Sequence, residues 1–122
     1  MKTVLIVDDE TNIRNSLLRI LEHNEILFLE ASNGLNAFEK CVNNKIDAII
    51  LDYRMPFVDG IEFLKWIHKS FENIKVVILS GYLSETQIKE LSSYNELWSK
   101  IFKKPCDEND LKKTIFEILE LS

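Results

Sequence analysis

Three short, uninterrupted apolar runs, Val4 to Val7, Ala48 to Leu51 and Val76 to Leu79, constrain the fold of this chain more than any other feature. They are rich in β-branched residues and short enough for strands, and they do not alternate with polar residues. Such runs are strands covered on both faces, since a strand with one wet face alternates apolar and polar side chains. Two further segments are strand-like but carry charge. Glu30 interrupts Ile26 to Ala31, and Lys100 and Lys103 interrupt Leu97 to Lys103. Charges of that kind belong at the margins of a sheet, where they discourage further strand pairing.

The intervening segments have helical period. Ile13, Leu17, Ile20 and Leu21 fall on one helical face, as do Phe63, Leu64, Ile67 and Phe71. Leu111, Ile115, Ile118 and Leu119 repeat the pattern behind Asp107, an expected N-cap, and Asn33 is the expected cap of a helix burying Ala37, Phe38, Cys41 and Val42. Ser84 and Gln87 form a capping-box pair that opens a helix through Ile88 and Leu91, with a weaker apolar stripe. Strands and helices therefore alternate strictly, five of each. Because right-handed crossovers lay each helix back on the sheet, the alternation predicts an α/β three-layer sandwich with a parallel five-stranded sheet. The expected order is 2-1-3-4-5, the flavodoxin-like arrangement. The marginal charges put strands two and five outside but leave the order of the inner three open.

In that order the connections leaving strands one and three run to opposite faces, opening a crevice at the strands' carboxyl ends. Asp8 and Asp9 end strand one and Asp52 ends strand three. An acid pair after a strand is ordinarily a turn or a helix cap; here Asp52 converges on the same place. Three carboxylates at one rim repel unless protons or a cation relieve them, and an all-oxygen donor set suits a hard divalent ion, magnesium with manganese as the alternative. Ser80 ends strand four and Lys104 follows strand five, just before Pro105. Each is unremarkable alone, but together they complement the acids. A phosphoryl group on Asp52 adds up to about two negative charges and several acceptor oxygens, which a cation, a hydroxyl and an ammonium can hold.

Composition narrows the functional classes. With 122 residues, 46% of them hydrophobic, the chain fits one domain, spanning 1–122, with a substantial core. A net charge of −5 with scattered basic residues argues against a nucleic-acid surface. Cys41 and Cys106 are too few for a disulfide scaffold and are expected to be free thiols in a reducing compartment. Met1 leads directly into a strand pattern and no apolar run reaches transmembrane length, so the expectation is a soluble cytoplasmic protein with no membrane partner. The chain ends after the fifth helix, giving the expectation of one domain that acts through partners rather than through an output domain of its own.

The motifs VDDE at Val7–Glu10, LDYRMPFVDG around Asp52, LSG at Ser80 and FKKP at Lys104 occur in order at four strand ends. In these the whole chain resembles a response-regulator receiver domain, CheY-like, of two-component signalling. The resemblance implies that Asp52 accepts a phosphoryl group from the phosphohistidine of a sensor histidine kinase or histidine phosphotransfer protein, and that the resulting acyl phosphate later hydrolyses. It implies Asp9 and Asp52 as direct Mg2+ ligands, Asp8 as an acidic partner acting largely through water, the backbone carbonyl of Arg54 as a further ligand, and Ser80 and Lys104 as phosphoryl-binding groups. Such a domain catalyses only its own modification and is not an enzyme with a released substrate. Output to an unnamed partner is expected through the face of helix four, strand five and helix five, from a monomer or weak dimer.

Several neighbours are assigned structural roles. Met55 and Pro56 shape the turn after strand three. Gly60 suits a tight entry into the third helix, and Pro105 resembles the family's cis-proline. His23 and His68 are surface or packing residues, and Trp66 and Trp98 are read as packed aromatics, a partner surface being the less favoured alternative. The family's switch aromatic, three residues before the lysine, is replaced here by Ile101; Phe102 beside it points to the other sheet face. Three alternatives stay in view. A haloacid-dehalogenase-like phosphatase would end strand one in D-x-D, where this chain reads DDET; a flavodoxin-like cofactor binder would need a phosphate-cradling turn there; a receiver-like module without phosphorylation would need none of the acids.

Overall fold

The computed structural model of the chain describes residues 1–54 and 59–121. Elements follow one another as β1 Lys2–Val7, α1 Thr11–Leu21, β2 Ile26–Ala31, α2 Gly34–Asn43, β3 Ala48–Leu51, α3 Gly60–Ser70, β4 Lys75–Ser80, α4 Glu85–Ser93, a 3-10 turn at Asn95–Leu97, β5 Lys100–Lys103 and α5 Glu108–Ile118. All strand pairs are parallel, in the order β2-β1-β3-β4-β5. Both margins carry the charged strands, as expected.

Strand alternation divides the core in two. Leu5, Val7, Ile49, Leu51, Val76 and Ile78 pack with residues of α2, α3 and α4, while Val4, Ile6, Ala48, Ile50, Val77 and Leu79 pack with α1 and α5. Each large side chain fully buried from the central strands, such as Leu5, Ile6, Ile50 and Ile78, contributes about 1.5–3 kcal/mol. Ile101 joins the first cluster and Phe102 the second, so the adjacent aromatic lies on the wrong face to substitute for Ile101.

The helix caps follow the sequence. Asn33 accepts from the Asn36 amide, Asp107 from that of Asp110, and Ser84 and Gln87 form both halves of a capping box. The Lys104–Pro105 peptide is cis. Trp98 is tied into the fold by an indole N–H that donates to the Leu91 carbonyl at 2.9 Å, and Trp66 stacks on Phe38 with ring centroids 4.0 Å apart. His23 accepts from the Glu25 amide and packs edge-on against Phe116, and His68 is exposed.

Two expectations are corrected. Strand five begins at Lys100 rather than Leu97, because the chain first closes the end of α4 with a 3-10 turn in which the Leu97 amide donates to the Tyr94 carbonyl. Leu97 is apolar because it joins the core below that turn. Phe38 and Val42 are 40% and 58% exposed rather than buried, since α2 covers the margin of the sheet and its apolar stripe is wider than the surface beneath it. The weaker apolar stripe of α4 is as expected: Leu91 is buried and Ile88 is exposed. Gly60 fits the tight entry into α3: its φ is not positive, and the ring of Tyr53 takes the space a side chain would need. The turn assigned to Met55 and Pro56 lies outside the described residues. Among the described residues no helix is long and apolar enough to cross a membrane.

Candidate functional site

The sheet ladder itself delivers the site residues. One bond beyond each strand end, the Asp8 amide donates to the Ala31 carbonyl, the Asp52 amide to that of Val7, and the Lys104 amide to that of Ser80. Strand parity does the rest. Asp8, Asp52 and Lys104 continue the alternation of Ile6, Ile50 and Phe102, so they emerge on the α1 and α5 side of the sheet. Ser80 continues that of Val76 and Ile78 toward α3 and α4.

Carboxylate oxygens of Asp8, Asp9 and Asp52 all lie within 4.8 Å of one another. Asp8 and Asp52 are buried and Asp9 is exposed. The Lys104 ammonium sits 2.8 Å from Asp8 Oδ2 and 3.8 Å from Asp52 Oδ2. Asp8 is committed at both oxygens, since its Oδ1 also accepts from the Glu10 amide. Asp52 Oδ1 accepts from the Arg54 amide at 3.1 Å. Burial pushes the Asp52 carboxyl above its ordinary range; the Arg54 N–H and Lys104 oppose that rise, while Asp8 and Asp9 add to it. Two of the three carboxylates, Asp8 and Asp52, therefore share the Lys104 ammonium beside a crevice lined by Asp9, Glu10, Ile13, Asp52, Arg54, Gly81 and Lys104.

The donor set fits a small hard cation. Three carboxylate oxygens within 4.8 Å of one another are close enough to converge on one divalent ion, whose oxygen ligands lie about 2.0–2.6 Å from the metal. Asp9 and Asp52 have the freer oxygens, whereas those of Asp8 are taken up by Lys104 and Glu10. Ser80, although adjacent, is buried with its hydroxyl donating to the Tyr82 carbonyl at 3.2 Å.

Two residues of the surroundings are absent from the sequence expectations. Arg14 on α1 donates through Nη1 to the Asp8 carbonyl at 2.7 Å, through Nη2 to Thr11, and through Nε to Glu30 at 3.1 Å. It clamps the turn that carries Asp8 and Asp9 to the marginal strand β2. The only sequence signal was a lone arginine in a helix and a lone glutamate in a strand. Tyr53, next to Asp52, is buried in the opposite half of the core, where its hydroxyl donates to Glu90 Oε1 at 3.1 Å. Its aromatic character resembled any other packed ring.

Known proteins share this fold. The sequence profile of the response regulator receiver domain matches residues 4–116. Sporulation initiation phosphotransferase F of Bacillus subtilis (strain 168) is 32% identical over 118 residues, which cover 97% of this chain and 94% of that protein. The transcriptional regulatory protein YesN of the same organism is 30% identical over 98% of this chain, which spans only 33% of YesN. A CheY-like receiver structure from Methanospirillum hungatei JF-1 superposes with a TM-score of 0.87 at 29% identity, covering 98% of this chain and 94% of that one. Thermotoga maritima TrrA, solved in complex with Mg(2+)-BeF, does so with a TM-score of 0.83 at 30% identity, covering 97% and 99%. With five parallel strands in the shared order and an acidic cluster that fits a phospho-acceptor site, the chain belongs to the receiver domain family of two-component response regulators.

Proposed function

We propose that Asp52 is the acceptor through which this receiver takes a phosphoryl group from a histidine kinase or histidine phosphotransfer protein. One observation carries the assignment: Asp52 is a buried carboxylate lining the crevice, clustered with Asp8 and Asp9 and 3.8 Å from the Lys104 ammonium, while both oxygens of the other buried acid, Asp8, are already engaged. A carboxylate oxygen of Asp52 attacks phosphorus, the P–N bond of the phosphohistidine breaks, and its electron pair returns to the imidazole. Negative charge is spread over the three equatorial oxygens in the transition state, and Lys104, 3.8 Å from Asp52 Oδ2, is the cation beside them that offsets it. Ser80, whose backbone carbonyl accepts from the Lys104 amide beside the crevice, is the proposed hydroxyl donor to the phosphoryl oxygens.

Asp9, Asp52 and the carbonyl of Arg54 would hold Mg2+, or Mn2+ in its place, with Asp8 acting through water because its own oxygens are engaged. The ion supplies charge neutralisation at the crevice. The TrrA complex with Mg(2+)-BeF supports the reading, as beryllofluoride is a tetrahedral stand-in for a phosphoryl group. Partner binding through the α4, β5 and α5 face is the proposed output.

Treating wild type and Asp52→Asn with acetyl phosphate and Mg2+, then recording intact mass, tests the assignment. Wild type should gain one phosphoryl group and the variant none. Equal labelling of both rejects Asp52 as acceptor, and labelling of neither favours a receiver-like module that works without phosphorylation.

A further inference from the structure

Receivers need a route from the acceptor to the surface a partner reads, and Ile101 stands where the family's switch aromatic is expected. The fold offers another connection. Asp52 and Tyr53 are consecutive, so alternation sends one to the crevice and the other into the core beneath α3 and α4. The peptide joining Tyr53 to Arg54 supplies the N–H that donates to Asp52 Oδ1. Whatever redirects that oxygen therefore acts on the backbone of Tyr53.

The Tyr53 ring is held on two sides. At Gly60, the first residue of α3, an added Cβ would lie 2.7 Å from ring Cδ1 and 2.8 Å from Cζ, so the ring occupies the space of a missing side chain. Its hydroxyl reaches Glu90 of α4, 37 residues away, in a hydrogen bond to a carboxylate, the stronger class of such bonds. A ring confined in this way cannot absorb a backbone change by rotating freely. It transmits the change to the hydroxyl.

The recipient is suited to respond. Among the described residues, helix α4 buries one side chain, Leu91, and is otherwise held by its capping box and by two side-chain ties near its carboxyl end, Tyr53 to Glu90 and Trp98 to the Leu91 carbonyl. Of these ties only the first connects to the acceptor's own chain segment.

We propose that Tyr53 is a positioning residue that couples the acceptor crevice to α4 through its hydrogen bond to Glu90, in the role the missing aromatic would otherwise fill. The inference rests on the acceptor assignment above and extends it from the site to its output. Loading Asp52 redirects the oxygen bonded to the Arg54 amide, the 52–54 segment adjusts, and the Tyr53–Glu90 bond is strained or released.

Amide hydrogen exchange of Glu85–Ser93 tests this, measured with and without Mg2+ and beryllofluoride, beside acetyl phosphate labelling of the same samples. Wild type should be labelled and should change its α4 exchange on loading. Tyr53→Phe keeps the ring and the fold, so it should be labelled normally. Its α4 amides should exchange roughly fivefold faster before loading, as for one lost hydrogen bond, and most of the change on loading should vanish. Glu90→Gln retains an acceptor and should restore the response, whereas Glu90→Ala should not. Normal labelling of Tyr53→Phe with an undiminished α4 response overturns the coupling alone, as does a labelled wild type whose α4 does not respond. A wild type that takes no label overturns the acceptor assignment first and the coupling with it.

Discussion

Replacing Gly60 with alanine should destabilise the protein, although glycine to alanine in a helix ordinarily helps. The new Cβ would meet the Tyr53 ring at 2.7 and 2.8 Å, closer than real Cβ atoms approach other heavy atoms. Tyr53 is only 6% exposed and packed on all sides, so the ring moves only by disturbing its neighbours. Overpacking of this kind costs about 1–3 kcal/mol, and the displaced hydroxyl loses a hydrogen bond to Glu90 of about 1 kcal/mol. Against this stands a gain of at most about 1 kcal/mol from helix propensity, reduced because Gly60 is the first residue of α3. The net expectation is a loss of about 2 kcal/mol. With a urea m-value of about 1–3 kcal/mol per molar, the unfolding midpoint should fall by about 1 M. In a Tyr53→Ala background the obstruction is gone, and Gly60→Ala should become neutral or mildly stabilising, which gives a large coupling energy in the double-mutant cycle. A midpoint for Gly60→Ala at or above wild type, or the same loss in both backgrounds, would refute the close-packing argument.

Other perturbations probe the crevice. Asp52→Asn should raise stability in the absence of divalent ions. The folded-state pKa of Asp52 lies above its unfolded value, so its ionisation opposes folding: the neutral form's advantage is complete below the ordinary carboxylate pKa of 3.8 and lost as pH rises through the folded value. The stability difference between variant and wild type, from urea midpoints across that range, should therefore be small in acid and larger at neutral pH. A variant less stable than wild type at pH 7 would contradict this. Wild type should also gain about 1.4 kcal/mol when Mg2+ reaches ten times its Kd. Arg14→Lys removes the fork that binds the Asp8 carbonyl and Glu30 together, and should weaken Mg2+ binding by about tenfold in calorimetric titration, since partners that orient ligands are worth about 10–100-fold. An unchanged affinity would show that the turn holds its shape without the clamp.

Much of the fold is legible in the chain because its strands differ so sharply in character. Val4 to Val7, Ala48 to Leu51 and Val76 to Leu79 can only be interior, and Glu30 and the flanking lysines can only be marginal. The acids and Lys104 were legible because a parallel sheet gathers its strand ends whatever their spacing in sequence; Asp8 and Lys104 meet across 96 positions. What escaped notice depends on neighbours that periodicity does not specify. Leu97 is as apolar in a turn that plugs the core as it would be in a strand, and the outward stripe of α2 shows the same period as a buried one. Arg14 and Tyr53 acquire their roles only from Glu30 and Glu90, partners in other elements.

The Ser80 hydroxyl has a final consequence. It carries a single proton, and in this structure that proton is engaged by the Tyr82 carbonyl at the entry to α4. An anion arriving at Asp52 that recruits Ser80 as a donor must take the same proton, because a hydroxyl has no second one to offer. The loop's internal fastening and the capture of the anion are thus mutually exclusive claims on one hydrogen atom, which makes the arrangement two-valued by stoichiometry alone.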